Sequence, residues 1–303
     1  MSTSRASDWL VLAFLVICWG SAFAALRIST EHVGPFWNTA GRLLVAAPVL
    51  ALVVVGRRER PPRLSDRAWL IYAVIGVVGL AAPFALFAFS AQRLPSAVNA
   101  ICNGASPIFT AILAHLFLSG ERLSARKGLG VLVGFLGLAT LVAPRLQAGA
   151  VVEAEALAAA LFGAFLYAVA NVLTKRAPAL SSSVGALMMC LTAGAAGASV
   201  AFAAEPFPPM PPWPALLAVV ALGVFPTALA SVGFVYLVRR RGPVFMSMAV
   251  YLAPLWATLV GVAILGERPG WPAFAALALI LGGVALTTYA PGAKAAAKAA
   301  DSG

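Results

Sequence analysis

Between Trp9 and Leu26 the chain carries no charged side chain, and the same holds from Ala68 to Gln92. A helix needs roughly 20 apolar residues to cross the hydrocarbon of a bilayer. Runs of that length or nearly so occur ten times, at about 8–28, 36–56, 68–90, 95–118, 125–143, 155–174, 183–203, 214–238, 243–265 and 271–289. Of 303 residues, 62% are hydrophobic and only 10% charged, which is more apolar surface than a soluble globule of this size can bury. The sequence therefore predicts an all-α membrane protein of ten transmembrane helices, with little chain left for a soluble domain.

Ten crossings put both termini on one side, and the basic residues say which side. Cytoplasmic connections are enriched in Lys and Arg. Sixteen of the 21 fall on the side of the termini, with the densest groups at Arg57–Arg67 and Arg239–Arg241. Only Arg27, Arg93, Arg145 and Arg268 fall on the other side, and Arg42 lies within the second span. The 10 acids divide evenly and leave the bias intact. Both termini are expected in the cytoplasm, so the net charge of +11 is an orientation signal and not a nucleic-acid surface. A second reading of the first span is a cleaved signal peptide, with Arg5 before the apolar run and Ala22, Phe23 and Ala24 resembling a cleavage site. Cleavage would leave nine helices and remove part of the repeat described next.

Shifting the sequence by 148 residues brings Trp19 onto Tyr167, Arg27 onto Lys175 and Pro95 onto Pro243. Each half then runs through a second proline, Pro107 or Pro254, to the same triplet, Gly120, Glu121, Arg122 or Gly266, Glu267, Arg268. The chain thus divides into a first five-helix unit (1–147), a second (148–291) and a cytoplasmic tail (292–303). Five is odd, so the second unit must cross the membrane in the opposite sense. Inverted repeats of this kind are typical of secondary transporters, whose halves exchange conformations around a central site.

The polar residues inside the spans are sparse and ordered. In the fourth span Asn99, Asn103, Ser106 and Thr110 are spaced by 4, 3 and 4, which puts them on one helical face. Adding 148 gives Ser247, Tyr251, Pro254 and Thr258 on the ninth. Two antiparallel faces of this sort suit a shared cavity, or equally a set of hydrogen bonds between packed helices. Trp19, Tyr167 and Asn171 add aromatic and polar groups near midspan, where they either contact a ligand or fill space. The candidate substrate contacts are therefore Trp19, Asn99, Asn103, Tyr167, Asn171, Ser247 and Tyr251. Phe84, Phe87, Phe225 and Tyr236 are expected to serve packing. Arg42 is the one strongly basic residue well inside a span, open to a structural role or to a substrate carboxylate.

No Asp or Glu occurs mid-span, which leaves a buried carboxylate proton relay without support. A phosphate-binding loop is absent, and His32 and His115 have no carboxylate beside them in a span, so no catalytic residue, metal or cofactor is expected. Cys18, Cys102 and Cys190 all fall inside apolar runs and offer neither a disulfide framework nor metal spacing. Six prolines between Pro206 and Pro214 predict a stiff connector, and in-span glycines such as Gly130, Gly134, Gly137, Gly282 and Gly283 permit close helix approach.

Trp19, Gly20 and Ser21 in the first span, Arg42 in the second, and the two proline-then-Gly-Glu segments together resemble the drug/metabolite transporter superfamily, specifically its ten-helix EamA-type exporters. The resemblance covers nearly the whole chain. It implies a multi-pass carrier of the bacterial inner membrane that exports amino acids or related metabolites, with helices 1, 3, 4, 6, 8 and 9 around a central cavity. Overall likeness and the residues Trp19, Tyr167 and Tyr251 further resemble exporters of aromatic and other apolar amino acids. The expected partners are a small-molecule substrate and lipid, without nucleic acid, and the expected state is a monomer. The alternatives are a carrier of nucleotide sugars or phosphorylated metabolites, and, in another class, a membrane-embedded enzyme or signalling protein.

Overall fold

A computed structural model describes residues 6–118, 124–147, 151–241 and 243–288. Within these, the side chains at 142–147, 151–152, 238–239, 241, 243–247, 250–251 and 287–288 lie outside the description. All regular structure among the described residues is helical. The first two helices are α1 (Ala6–Thr30) and α2 (Pro35–Gly56), and α3 (Ala68–Ala91) is a longer run with a π-helical turn at Val77–Ala81. Next, α4 (Ser96–Phe117) is broken at Gly104 and Ala105. They are followed by α5 (Ala125–Gln147), α6 (Val151–Arg176) and α7 (Ser182–Ala204). The run α8 comprises Trp213–Leu222, a π-helical segment Gly223–Leu229 and Ala230–Arg241, and α9 (Pro243–Leu265) and α10 (Trp271–Thr288) complete the order.

The twin triplet at Gly120–Arg122 and the tail lie outside the described residues. Among the described residues, seven helices are long and apolar enough to cross a bilayer, and shorter apolar stretches, Leu252–Leu265 and Trp271–Leu286, accompany them.

Proline shapes the irregular places. Pro107 has no N–H to give to the carbonyl of Asn103 and its ring crowds that turn, so α4 is not the single 95–118 helix expected but two pieces, Ser96–Asn103 and Ser106–Phe117. Pro83 and Pro226 stand at or within the π-helical turns of α3 and α8, where the same loss of a donor loosens the ladder. Gly266, at φ +65°, turns the chain out of α9 in the left-handed region that a glycine adopts without strain.

Three apolar clusters hold the helices together. One gathers α3, α4, α5, α6 and α10 around Ile101, Leu138 and Leu157. A second joins α2, α3 and α7 around Leu43, Tyr72 and Met188, and a third joins α1, α8 and α9 around Leu15 and Leu237. The in-span glycines act as expected in the α5–α10 pair, where a Cβ on Gly283 would stand 2.5 Å from the carbonyl oxygen of Gly130. Large apolar side chains such as Leu10, Leu52, Leu70 and Phe202 face outward with at least 70% exposure, as a lipid-facing surface requires.

Polar contacts concentrate at the two ends of the bundle. At one end the Asp8 carboxylate pairs with Arg240 at 2.9 Å, Arg57 donates to the Ser183 hydroxyl, and Tyr72 donates to the Pro178 carbonyl. At the other, Arg27 donates to the Ala91 carbonyl and Gln92 to the Thr30 carbonyl.

Candidate functional site

Between the clusters lies a cavity of about 600 Å³. That volume is in the range that encloses small ligands. Its wall is built from α1, α3, α4, α6, α8 and α9, joined by Arg42 of α2 and Lys127 of α5.

Local sequence dictates how the wall is made. Gly20 lets α1 approach α9 closely, since a Cβ there would stand 2.7 Å from the Ala253 carbonyl oxygen. The Trp256 indole N–H donates to the Ser21 hydroxyl at 2.9 Å and fixes that seam. On α4 the Asn103 amide sits at the end of the first piece, and Ser106 and Thr110 follow on the second. Thr110 donates back to the Ser106 carbonyl, and the Asn171 amide reaches Thr110 at 3.4 Å.

An aromatic cluster forms the apolar part. The Tyr167 ring stacks on Phe87, with centroids 5.8 Å apart and 23° between planes, and meets Phe84 edge-on at 6.5 Å. Phe23 meets Phe87 edge-on at 6.1 Å. Such contacts stiffen the rings as well as burying them.

Arg42 completes this group. Its guanidinium carbon lies 3.7 Å from the centroid of Phe84, a cation–π contact, and its Nε–H donates to the Thr227 hydroxyl at 2.7 Å. Thr227 in turn donates to the Leu222 carbonyl at 2.7 Å. That carbonyl is the one Pro226 leaves without its usual helical donor. The π-helical segment of α8 thereby supplies an acceptor that orients the arginine. No carboxylate pairs with Arg42 among the described residues.

Of the expected site residues, Trp19, Asn103, Tyr167, Asn171 and Arg42 line the cavity. Asn99 stands outside the lining. It is fully buried, with its amide donating to the Phe87 carbonyl at 3.0 Å. Ser247 and Tyr251 belong to α9, but their side chains lie outside the description. Phe84 and Phe87, expected only to pack, both pack and line the cavity. Lys127, Lys175 and Pro226 are lining residues that the sequence reading did not single out. The in-span Pro226 followed by a threonine was the signal available for the last of these.

A family model for the EamA-like transporter family matches residues 8–143 and again 155–289. The chain belongs to the EamA-like transporter family, within the drug/metabolite transporter superfamily. It is 30% identical over 289 residues to a probable terminal-alkyne amino-acid exporter of Streptantibioticus cattleyicolor, covering 94% of each protein. It is 27% identical to the uncharacterized inner membrane transporter YedA of Escherichia coli, covering 90% of this chain and 88% of that one. A solved crystal structure superposes with a TM-score of 0.66 at 27% identity, covering 94% of this chain and 98% of the other. This EamA protein is thus a multi-pass membrane transporter, surrounded by lipid and acting on a small-molecule substrate.

Proposed function

We propose that this EamA-family protein exports amino acids with aromatic or other apolar side chains, or closely related metabolites, through the central cavity by alternating access. The observation that carries the reading is the cavity itself. Aromatic walls meet an apolar side chain there, while Asn103, Tyr167 and Trp19 present polar groups that make no hydrogen bond to any described residue. The amino-acid exporter among its relatives favours the same substrate class.

Ten crossings in two inverted units, 1–147 and 148–291 with a tail at 292–303, are the architecture we infer. The pattern of helix pairs supports it, because exchanging the halves maps each main pairing onto another. The pairs α5–α10, α2–α7 and α4–α9 map onto themselves, α1–α9 onto α4–α6, and α3–α6 onto α1–α8. The π-helical turn at Val77–Ala81, shifted by 148, falls on 225–229, inside the second π-helical segment. The separate match of one family model to each half supports the same division. We further infer a bacterial inner-membrane location with both termini cytoplasmic, on the basic-residue bias and the inner membrane relative.

Liposomes holding the purified full chain should pass labelled apolar amino acids faster than empty ones. Replacing Trp19, Asn103 or Tyr167 by Ala should lower that flux about five-fold or more while leaving the amount of folded protein unchanged. The three basic lining residues favour a phosphorylated metabolite as the second reading, so the panel includes a nucleotide sugar. A panel of amino acids, metabolites and nucleotide sugars with no flux at all would sink the transport proposal.

A further inference from the structure

Among the described residues, every charged one that lines the cavity is basic: Arg42 in its depth, with Lys127 and Lys175. No Asp or Glu lines it among the described residues. Arg42 is 91% buried, taking its 9% exposure from the cavity side. A guanidinium has five N–H donors, and only the Nε–H is used, on Thr227. Its remaining donors have no acceptor among the described residues, and none of its atoms is among the sealed polar atoms. An uncompensated charge in a membrane interior is costly, so it persists where a counter-ion or water meets it.

The surroundings bias that counter-ion strongly. Phe84 lies against the guanidinium face, which leaves the edge, where the paired N–H donors sit, for the cavity. The second piece of α4 begins at Ser106, a lining residue, so the positive end of a 12-residue helix also opens on this space. The Trp19 indole N–H is a further donor. Among the described lining residues, donors with positive charge are present and none carries the negative charge that would single out an ammonium group.

Resting on the transport reading above, we propose that Arg42 is the carboxylate anchor of the cavity, and that the site reads its substrate as a carboxylate with an apolar body. The amino group of an amino acid is then dispensable. An N-acylated aromatic amino acid is carried as well as its parent, and the corresponding amide is not.

The test uses the full chain in liposomes, with protein-free liposomes as the blank, and compares phenylalanine, N-acetylphenylalanine and phenylalaninamide. Wild type should carry the first two within about three-fold of each other and the amide about ten-fold more slowly. Arg42→Gln should lower carboxylate flux about ten-fold or more and bring the acid-to-amide ratio close to one, a change in selectivity that a purely structural arginine would not produce. Arg42→Lys should keep a reduced preference for the acids, since it retains charge without the fork. The wild-type comparison stands alone if either variant fails to fold. Amide flux equal to that of the acids, or N-acetylphenylalanine excluded while phenylalanine passes, would overturn the anchor and leave the transport reading standing. Absence of flux for every compound in the wider panel would instead overturn the transport reading itself.

Discussion

The two ends of the bundle that surrounds the cavity are built differently. At the end where α9 finishes, the Glu267 carboxylate accepts the backbone N–H of Ser96 at 2.6 Å, that of Ala97 at 3.2 Å and the Ser96 hydroxyl at 3.0 Å. An acid just past the end of one helix thus caps the start of another, where four N–H groups lack partners and the helix dipole favours a negative charge. Gly261 makes the contact possible, since a Cβ there would stand 2.5 Å from the Glu267 carboxylate. The end where α6 finishes has instead a rim of Lys175 and Lys127 bordering the cavity. One end is clasped by a carboxylate and the other is bordered by lysines.

A second capped helix sharpens the contrast. Glu205 accepts the N–H groups of Phe36 and Trp37 at 3.2 Å each and lies against Gly34. This is the same chemistry at the start of α2, a helix that gives the cavity only Arg42. The same cap thus serves two helices that contribute unequally to the cavity wall. We expect it to matter most to transport where the capped helix carries much of the cavity wall, as α4 does with Asn103, Ser106 and Thr110.

These differences can be broken experimentally. The largest effect is expected at the clasp, in a chain whose three cysteines are replaced by alanine. Ala114→Cys, on the cavity wall, should react with a membrane-impermeant thiol reagent about ten-fold faster than Ala97→Cys, which is fully buried. Adding Glu267→Ala should raise labelling of Ala97→Cys about ten-fold, whereas Glu205→Ala should leave it unchanged. Equal labelling of the two positions without the Glu267 change would abolish the distinction between the ends.

An intermediate effect is expected on stability. Hydrogen bonds to a charged group contribute about 1.5–3 kcal/mol. Glu205→Gln should therefore lower the thermal midpoint of the purified protein while leaving its transport rate per folded molecule unchanged. A lowered rate would make the two caps functionally alike. The smallest effect belongs to the lysine rim. Replacing Lys127 and Lys175 together by Gln should slow uptake of an anionic substrate about two- to three-fold at low salt, and the deficit should vanish near 1 M salt as screening removes the attraction. A deficit that persists in salt would mean direct contact instead of steering.

Much of the fold was legible because lipid imposes a simple rule, that a crossing helix is long and uncharged. Helix bounds agree closely with the apolar runs, as in α2 at Pro35–Gly56 against the expected 36–56. The exception is α4, where the hydrophobic run is continuous but the backbone is not. Pro107 was visible in the sequence, yet Pro254 stands inside an unbroken α9, so a proline alone did not determine the outcome. Among the candidate contacts, the i, i+4 spacing put Asn99 and Asn103 on one face. The structure separates them, since Asn99 meets the Phe87 carbonyl across the helix interface while Asn103 lines the cavity.

By itself the sequence determined the solvent, the apolar runs, their 148-residue self-similarity and the rarity of charge inside the runs. Those are properties of composition and period, which follow from local chemistry and the thickness of a bilayer. Only the tertiary structure decided what the in-span charge faces. Phe84 and Thr227 lie 42 and 185 residues from Arg42, and no periodicity in a chain specifies which distant side chains will surround a guanidinium once the helices pack.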